Sequence, residues 1–269
     1  MNRIDKLYST FKAESKKAFN VYICGGDPDL ETTAALIREF ERRGVDAIEL
    51  GMPFSDPVAD GPVIQQAAKR AIDAGTTPDA IIAMVGGLRK SGCTIPICLM
   101  TYFNPVHHYG VERFVNDSAD AGVDGFIIPD LCPEEAGELS ERARARDVKT
   151  IFFIAPTTTP ERMKVINEKS TGFIYCVSVT GITGARKELP PELREHLRLI
   201  RRLTTLPLVV GFGISNPETV RMMCEVADGV IVGSAVCRRI QEMLDRPRAE
   251  LIRGVGDFAE ELSRAASVR

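Results

Sequence analysis

Short apolar runs alternate along this chain with longer amphipathic segments, and that alternation limits the possible folds more than any single motif. The runs occupy residues 19–23, 47–50, 97–100, 125–128, 150–154, 173–177, 208–211 and 229–232. Each is followed by a polar or glycine-rich break and then by a pattern of helical period. Start signals agree with this reading. Asp29 leads into a helix ending near 43, Gly110 opens one running to 121, and Pro133 with Glu134 and Glu135 starts another. Asn216-Pro217-Glu218 combines an N-cap with proline in the first turn. Strands that alternate with helices pair in parallel, and eight such units imply closure into a (β/α)8 TIM barrel. An open doubly wound sheet also satisfies the alternation by itself.

Between the second and third runs lie two helical segments, 63–74 and 78–89, one more than a simple barrel unit needs. A further helix over 3–15 precedes the first strand, where it would plug the bottom of the barrel. No low-complexity linker interrupts the pattern, so residues 1–269 read as a single β/α barrel domain. Barrels of this kind commonly run to about 250 residues.

Composition narrows the chemistry. A net charge of −3, with 44% apolar and 26% charged residues, offers no basic surface for nucleic acid or an anionic membrane. No apolar run approaches the ~18 residues of a membrane span. The first residues are too polar for a signal peptide, so a cytoplasmic location is expected. The seven cysteines are scattered, never spaced as CxxC, and read as buried reduced thiols. His107 and His108 have no acidic or thiol partner at ligand spacing, so this tandem reads as a loop surface and no metal site is expected.

In the stretch ELGMPFSDPVADGP, residues 49–62, three carboxylates compete for a role. Side chains on a strand alternate faces, so Ile48 and Leu50 would meet the helical layer while Ala47 and Glu49 point into the barrel. Glu49 is then an acid in a packed interior at the C-terminal end of a strand, where barrels of this type place catalytic groups. Burial should raise its pKa and let it give and take a proton near neutrality. A strand boundary shifted by a few residues would instead leave it in a solvated loop mouth. Asp56 and Asp60 both sit in turn-forming contexts, SDP and ADGP, and local chemistry leaves the choice between turn and function open.

Two strands near the end of the chain finish in glycine-rich turns, VVGFGISNP and GVIVGSAV. Such turns expose backbone N–H groups and a helix N-terminus to an anion, and loops after the seventh and eighth strands of a barrel are a frequent phosphate site. Thr180-Gly181-Ile182-Thr183-Gly184, after the sixth strand, could add a donor and act as a lid.

Together, ELGMPFSDPVADGPVIQ, MTYFNP, GVDGFIIPDL, FFIAPTTTPER, GFIYCVSVTGITGAR, VVGFGISNP and DGVIVGSA resemble the tryptophan synthase α subunit family over roughly the whole chain. The resemblance implies a barrel that cleaves indole-3-glycerol phosphate to indole and glyceraldehyde-3-phosphate, a retro-aldol reaction of tryptophan biosynthesis, without cofactor. It also implies a partner, the pyridoxal-phosphate-dependent β subunit, in an αββα heterotetramer. On this resemblance Glu49 is the general acid and base, and Asp60 the carboxylate that meets the indole N–H. Thr183 belongs to the lid and meets Asp60 on closure. Pro53 and Asp56 face the β subunit. Tyr22, Met100, Ile127, Phe153, Tyr175 and Phe212 form the indole wall, though barrel-core packing explains each of them alone. Gly184, Gly213, Gly233 and Ser234 form the phosphate cradle. The chain departs from the family at Cys24-Gly25, where Thr-Ala is commoner, at Cys132 in place of proline, and at His107-His108.

Three other readings are compatible with the residues. One is a lyase that works without a β partner, and another a silent subunit kept to activate β, which the presence of both Glu49 and Asp60 opposes. The third is another phosphate-binding barrel such as a sugar-phosphate isomerase or an aldolase. A Schiff-base aldolase would want a lysine at an inner strand end, and none of the strand ends offers one.

Overall fold

The computed structural model describes residues 1–177, 191–211 and 213–267. Among them are nine strands: β1 (Ala18–Cys24), β2 (Ala47–Gly51), β3 (Ile97–Met100), β4 (Gly125–Ile127), β5 (Lys149–Ile151), β6 (Phe153–Ile154), β7 (Ile174–Val177), β8 (Leu208–Gly211) and β9 (Gly229–Val232). Every pairing is parallel, in the order β5-β4-β3-β2-β1-β9-β8-β7-β6.

The two ends of that order, β5 and β6, are separated in the chain only by Phe152. The Phe152 carbonyl accepts the Tyr175 N–H at 3.1 Å. The single fifth strand expected at 150–154 is therefore present in two pieces, one bonded to β4 and the other to β7, and the chain itself carries the sheet across the seam. The open-sheet alternative is excluded. Its two unpaired edges do not exist here.

Alternation sorts the side chains. Val21, Ile23, Ile48, Leu50 and Leu99 join the layer between strands and helices, while Tyr22, Cys98, Met100, Ile127, Ile151, Tyr175, Val209 and Ile231 form a separate cluster inside the barrel. Helix α1 (Arg3–Glu14) closes the floor as expected, sending Ile4 and Tyr8 into that inner cluster. Its N-cap, Asn2, accepts from the Ile4 N–H at 2.9 Å and donates to the carbonyls of Asp124 (2.9 Å) and Asp147 (2.6 Å). Helices α2 (Leu30–Arg42), α3 (Pro62–Asp73) and α4 (Pro78–Lys90) follow, so the additional helix after β2 is present.

Two local expectations need correction. His107 and His108 are exposed but lie on a short helix, α5 (Phe103–Tyr109), whose first N–H donates to Asp130 Oδ1 at 2.9 Å. After α6 (Val111–Ala121), Pro133-Glu134-Glu135 makes only a turn closed onto the Cys132 carbonyl. Ala136, with ψ of 6°, steps out of helical geometry, and α7 (Gly137–Ala145) starts one residue later.

The floor is tied by one carboxylate. Asp124 accepts from Arg89 (2.8 Å), Arg3 (2.9 Å) and the Ile97 N–H (2.8 Å), joining α4, α1 and β3 to the start of β4. Burial pushes its pKa up, and these partners pull it back. Replacing it with alanine leaves the buried Arg89 guanidinium uncompensated, and Asp124→Ala is expected to lower stability by about 3 kcal/mol in urea denaturation.

Candidate active site

Glu49 enters the barrel at the C-terminal end of β2 and is 5% exposed. The Tyr175 hydroxyl, from β7 on the far wall, donates to Glu49 Oε2 at 3.4 Å. Burial drives the Glu49 pKa up to about 8, with the Tyr175 hydrogen bond opposing the shift and the charge of Asp60 adding to it. The group is therefore mostly protonated at neutral pH. That is the state in which it can act first as an acid.

Asp60 lies in the loop from β2 to α3, half-buried and close enough for its charge to act on Glu49. Burial raises its pKa as well, and a hydrogen bond from the Tyr102 hydroxyl pulls it back. The same hydroxyl accepts the Ala59 N–H at 3.2 Å, and Gln65 Nε2 donates to the Asp60 carbonyl at 2.8 Å. Asp56 instead faces solvent, where the Ser55 hydroxyl donates to it. Pro53 is half-buried at the base of the loop, and Val58 at its tip is 79% exposed.

Tyr22, Met100, Ile127 and Tyr175 belong to the buried inner cluster, and Phe153 packs on it with its ring centroid 4.7 Å from that of Tyr175. Room for the two inner tyrosines depends on glycine. A methyl group at Gly51 would lie 2.3 Å from the Tyr22 hydroxyl oxygen, and one at Gly211 would lie 2.4 Å from that of Tyr175. Neither position could carry a side chain without displacing a phenol.

Gly213 follows β8 with φ of 74°, a left-handed conformation that favours glycine. Gly233 caps α11 (Ser234–Glu242), so the first N–H groups of that helix face the barrel mouth alongside the exposed Ser234. Phe212, Thr183 and Gly184 lie outside the described residues.

Sequence reasoning missed two participants. Tyr102, immediately after β3 in the MTYFNP motif, is fully buried and binds the Asp60 loop through its hydroxyl, with its ring 5.6 Å from that of Phe54. Its place at a strand end was the available signal. Asp27, whose side chain is wholly buried, receives Arg70 Nε and Nη2, both at 2.8 Å, and so fastens the loop after β1 to α3. Nothing local marks that pair, which spans 43 residues of chain. The described residues contain no cluster of side chains able to hold a metal ion.

Barrels of this architecture work at the C-terminal ends of their strands, and at this one a protonated carboxyl meets a second carboxylate. The fold is that of a parallel β/α-barrel protein, with two acids gathered at the C-terminal ends of its strands. The model of the family "Tryptophan synthase alpha chain" matches residues 8–266. The tryptophan synthase alpha chain of Geotalea daltonii is 48% identical over 242 residues, covering 90% of this chain and 91% of that one. That of Pelobacter propionicus is 46% identical over 241 residues, with 90% of each covered. The crystal structure of tryptophan synthase subunit alpha from Legionella pneumophila superposes with a TM-score of 0.90 at 38% identity, covering 99% of this chain and 98% of that one. The chain belongs to the tryptophan synthase alpha chain family.

The displaced pKa of Glu49 makes stability depend on pH. A carboxyl raised from the usual 4.5 to about 8 binds its proton more tightly in the folded state. Its contribution is complete below pH ~4.5 and is lost as pH rises through about 8. Glu49→Gln removes that loss, so its stability relative to the parent should increase by about 4 kcal/mol between pH 5 and pH 9 in paired urea melts. A gap that stayed constant would show Glu49 titrating like a solvated glutamate.

Proposed function

We propose that Glu49 and Asp60 carry out the reaction of this family, and that they do so without a cofactor. The chain is a carbon–carbon lyase of tryptophan biosynthesis that cleaves indole-3-glycerol phosphate to indole and glyceraldehyde-3-phosphate. The observation that carries the assignment is the buried Glu49 carboxyl with its pKa raised to about 8.

Neutral Glu49 donates its proton to the ring carbon that bears the glycerol chain. The Tyr175 hydroxyl occupies Oε2 and leaves the other oxygen to face the substrate. Protonation leaves the ring an iminium-like cation. Asp60, aimed at the ring N–H, stabilises that charge as it develops. Glu49, now a carboxylate, takes the proton of the hydroxyl adjacent to the ring. The carbon–carbon bond breaks, its electron pair restores the neutral indole, and the chain carbon becomes the aldehyde of glyceraldehyde-3-phosphate. Glu49 ends as it began, protonated.

In the same reading Gly213, Gly233 and Ser234 bind the phosphate through backbone N–H groups, joined by Gly184. Thr183 closes over Asp60, and Tyr22, Met100, Ile127, Phe153, Tyr175 and Phe212 enclose the ring. Pro53 and Asp56 meet a β subunit that carries pyridoxal phosphate, in an αββα assembly. The outward position of Asp56 and the exposed Val58 beside it support a docking role for that loop. A cytoplasmic location and a single-domain chain are part of this proposal. Among the described residues no helix is long and apolar enough to cross a membrane.

Indole release from indole-3-glycerol phosphate, assayed with and without added β subunit, tests the assignment. Glu49→Gln should abolish release, and Asp60→Asn should reduce kcat/KM by roughly 10²- to 10³-fold. Undiminished turnover by folded Glu49→Gln would refute the mechanism. Because the acid must hold its proton, kcat/KM should fall as pH rises through about 8, the value to which burial pushes Glu49.

A further inference from the structure

Three tyrosine hydroxyls reach the barrel mouth, and two of them are engaged. That of Tyr175 donates to Glu49, and that of Tyr102 accepts from the Ala59 N–H. Tyr22 is 95% buried, being 5% exposed, yet its hydroxyl makes no hydrogen bond among the described residues. The hydroxyl is not among the buried polar atoms left without a partner, so it opens onto the barrel mouth, where a ligand can reach it.

Its position is fixed at both ends. Tyr22 lies in register with Glu49, and the two side chains enter the barrel side by side. A methyl group at Gly233 would lie 3.3 Å from Tyr22 Cβ, and one at Gly51 would lie 2.3 Å from its hydroxyl oxygen. The ring thus runs from the glycine turn after β9 to the strand end that carries Glu49. Burial above all, and then the neighbouring Cys24, Cys237, Asp60 and Glu49, hold the phenol well above its usual pKa. It stays a donor as well as an acceptor.

On the function proposed above, the phosphate occupies the Gly213, Gly233 and Ser234 end and the indole ring lies beside Glu49 and Asp60. What falls between them is the three-carbon chain with its hydroxyl groups, within reach of the hydroxyl end of Tyr22, whose ring also belongs to the indole wall. We propose that the Tyr22 hydroxyl hydrogen-bonds a hydroxyl of that chain and thereby selects a hydroxylated substrate over a deoxygenated one. Gly51 is the positioning residue, because any side chain there pushes the phenol off its place.

The test is calorimetric titration of the whole chain with indole-3-glycerol phosphate and with 3-(indol-3-yl)propyl phosphate, which keeps the ring and phosphate but lacks both hydroxyls. Glu49→Gln serves as the background, so that substrate is not consumed. Adding Tyr22→Phe should weaken the hydroxylated ligand about tenfold, the value of one hydrogen bond left unmade, and change the deoxygenated one less than about twofold. Equal weakening of both would assign Tyr22 to packing alone, and no weakening of either would leave its hydroxyl without a substrate role. Both results overturn the proposal. So does a Tyr22→Phe chain, with Glu49 intact, whose pH profile for kcat/KM shifts while ligand affinities hold, since the hydroxyl would then act on the carboxyls. The deoxygenated ligand is also titrated into the unsubstituted chain. Failure to bind there would count against the proposed function itself and would remove the ground of this inference with it.

Discussion

Desolvation of the Glu49 carboxyl is the constraint around which the mouth of the barrel is built. Stripped of water, the group holds its proton to about pH 8, and each polar neighbour modifies that preference without reversing it. Tyr175 donates across the barrel, and Asp60 discourages a second negative charge nearby. An ionised glutamate here would be costly, so the folded protein favours the protonated form at neutral pH. Stability is the term that suffers. A glutamine of the same shape would sit more easily in this place.

The supporting structure is divided by height. Below the carboxyls the barrel is filled with apolar side chains from both the strands and α1, and Asp124 fastens that floor through Arg3, Arg89 and the Ile97 N–H. Above them, glycines at 51 and 211 make space for phenols instead of aliphatic packing. The upper half therefore gives up close apolar filling for a shell of hydroxyls. Loops then add what the strands cannot, with Asp60 and Tyr102 joined to each other across two successive strand ends.

One loop serves two directions. Between β2 and α3 the chain turns Asp60 toward Glu49 and Asp56 toward solvent, four residues apart in sequence and opposite in environment. The Tyr102 hydroxyl takes the Ala59 N–H, and Arg70 on α3 is anchored at Asp27. The inward side of the loop is thus held by the barrel while its tip, with Val58, is left outward.

Much of this was present in local pattern. The alternation of apolar runs with helical segments gave the strand order its raw material, and period two alone put Glu49 on the inner face of β2 and Ile48 and Leu50 on the outer. Helix boundaries marked by Asp29, Gly110 and Asn216 also followed from capping chemistry, which acts over three or four residues. Pro133 misled because the turn it opens closes on Cys132 and goes no further. The sequence by itself thus determined which residues alternate, which segments coil and which strand ends carry glycine or acid. Only the tertiary structure decided that the fifth strand divides at Phe152 to close the ring, that the Tyr102 hydroxyl takes the Ala59 N–H beside Asp60, and that Tyr175 meets Glu49 from 126 residues away. Those outcomes depend on barrel closure, which sets distances between residues remote in the chain, and no short-range periodicity encodes such a distance.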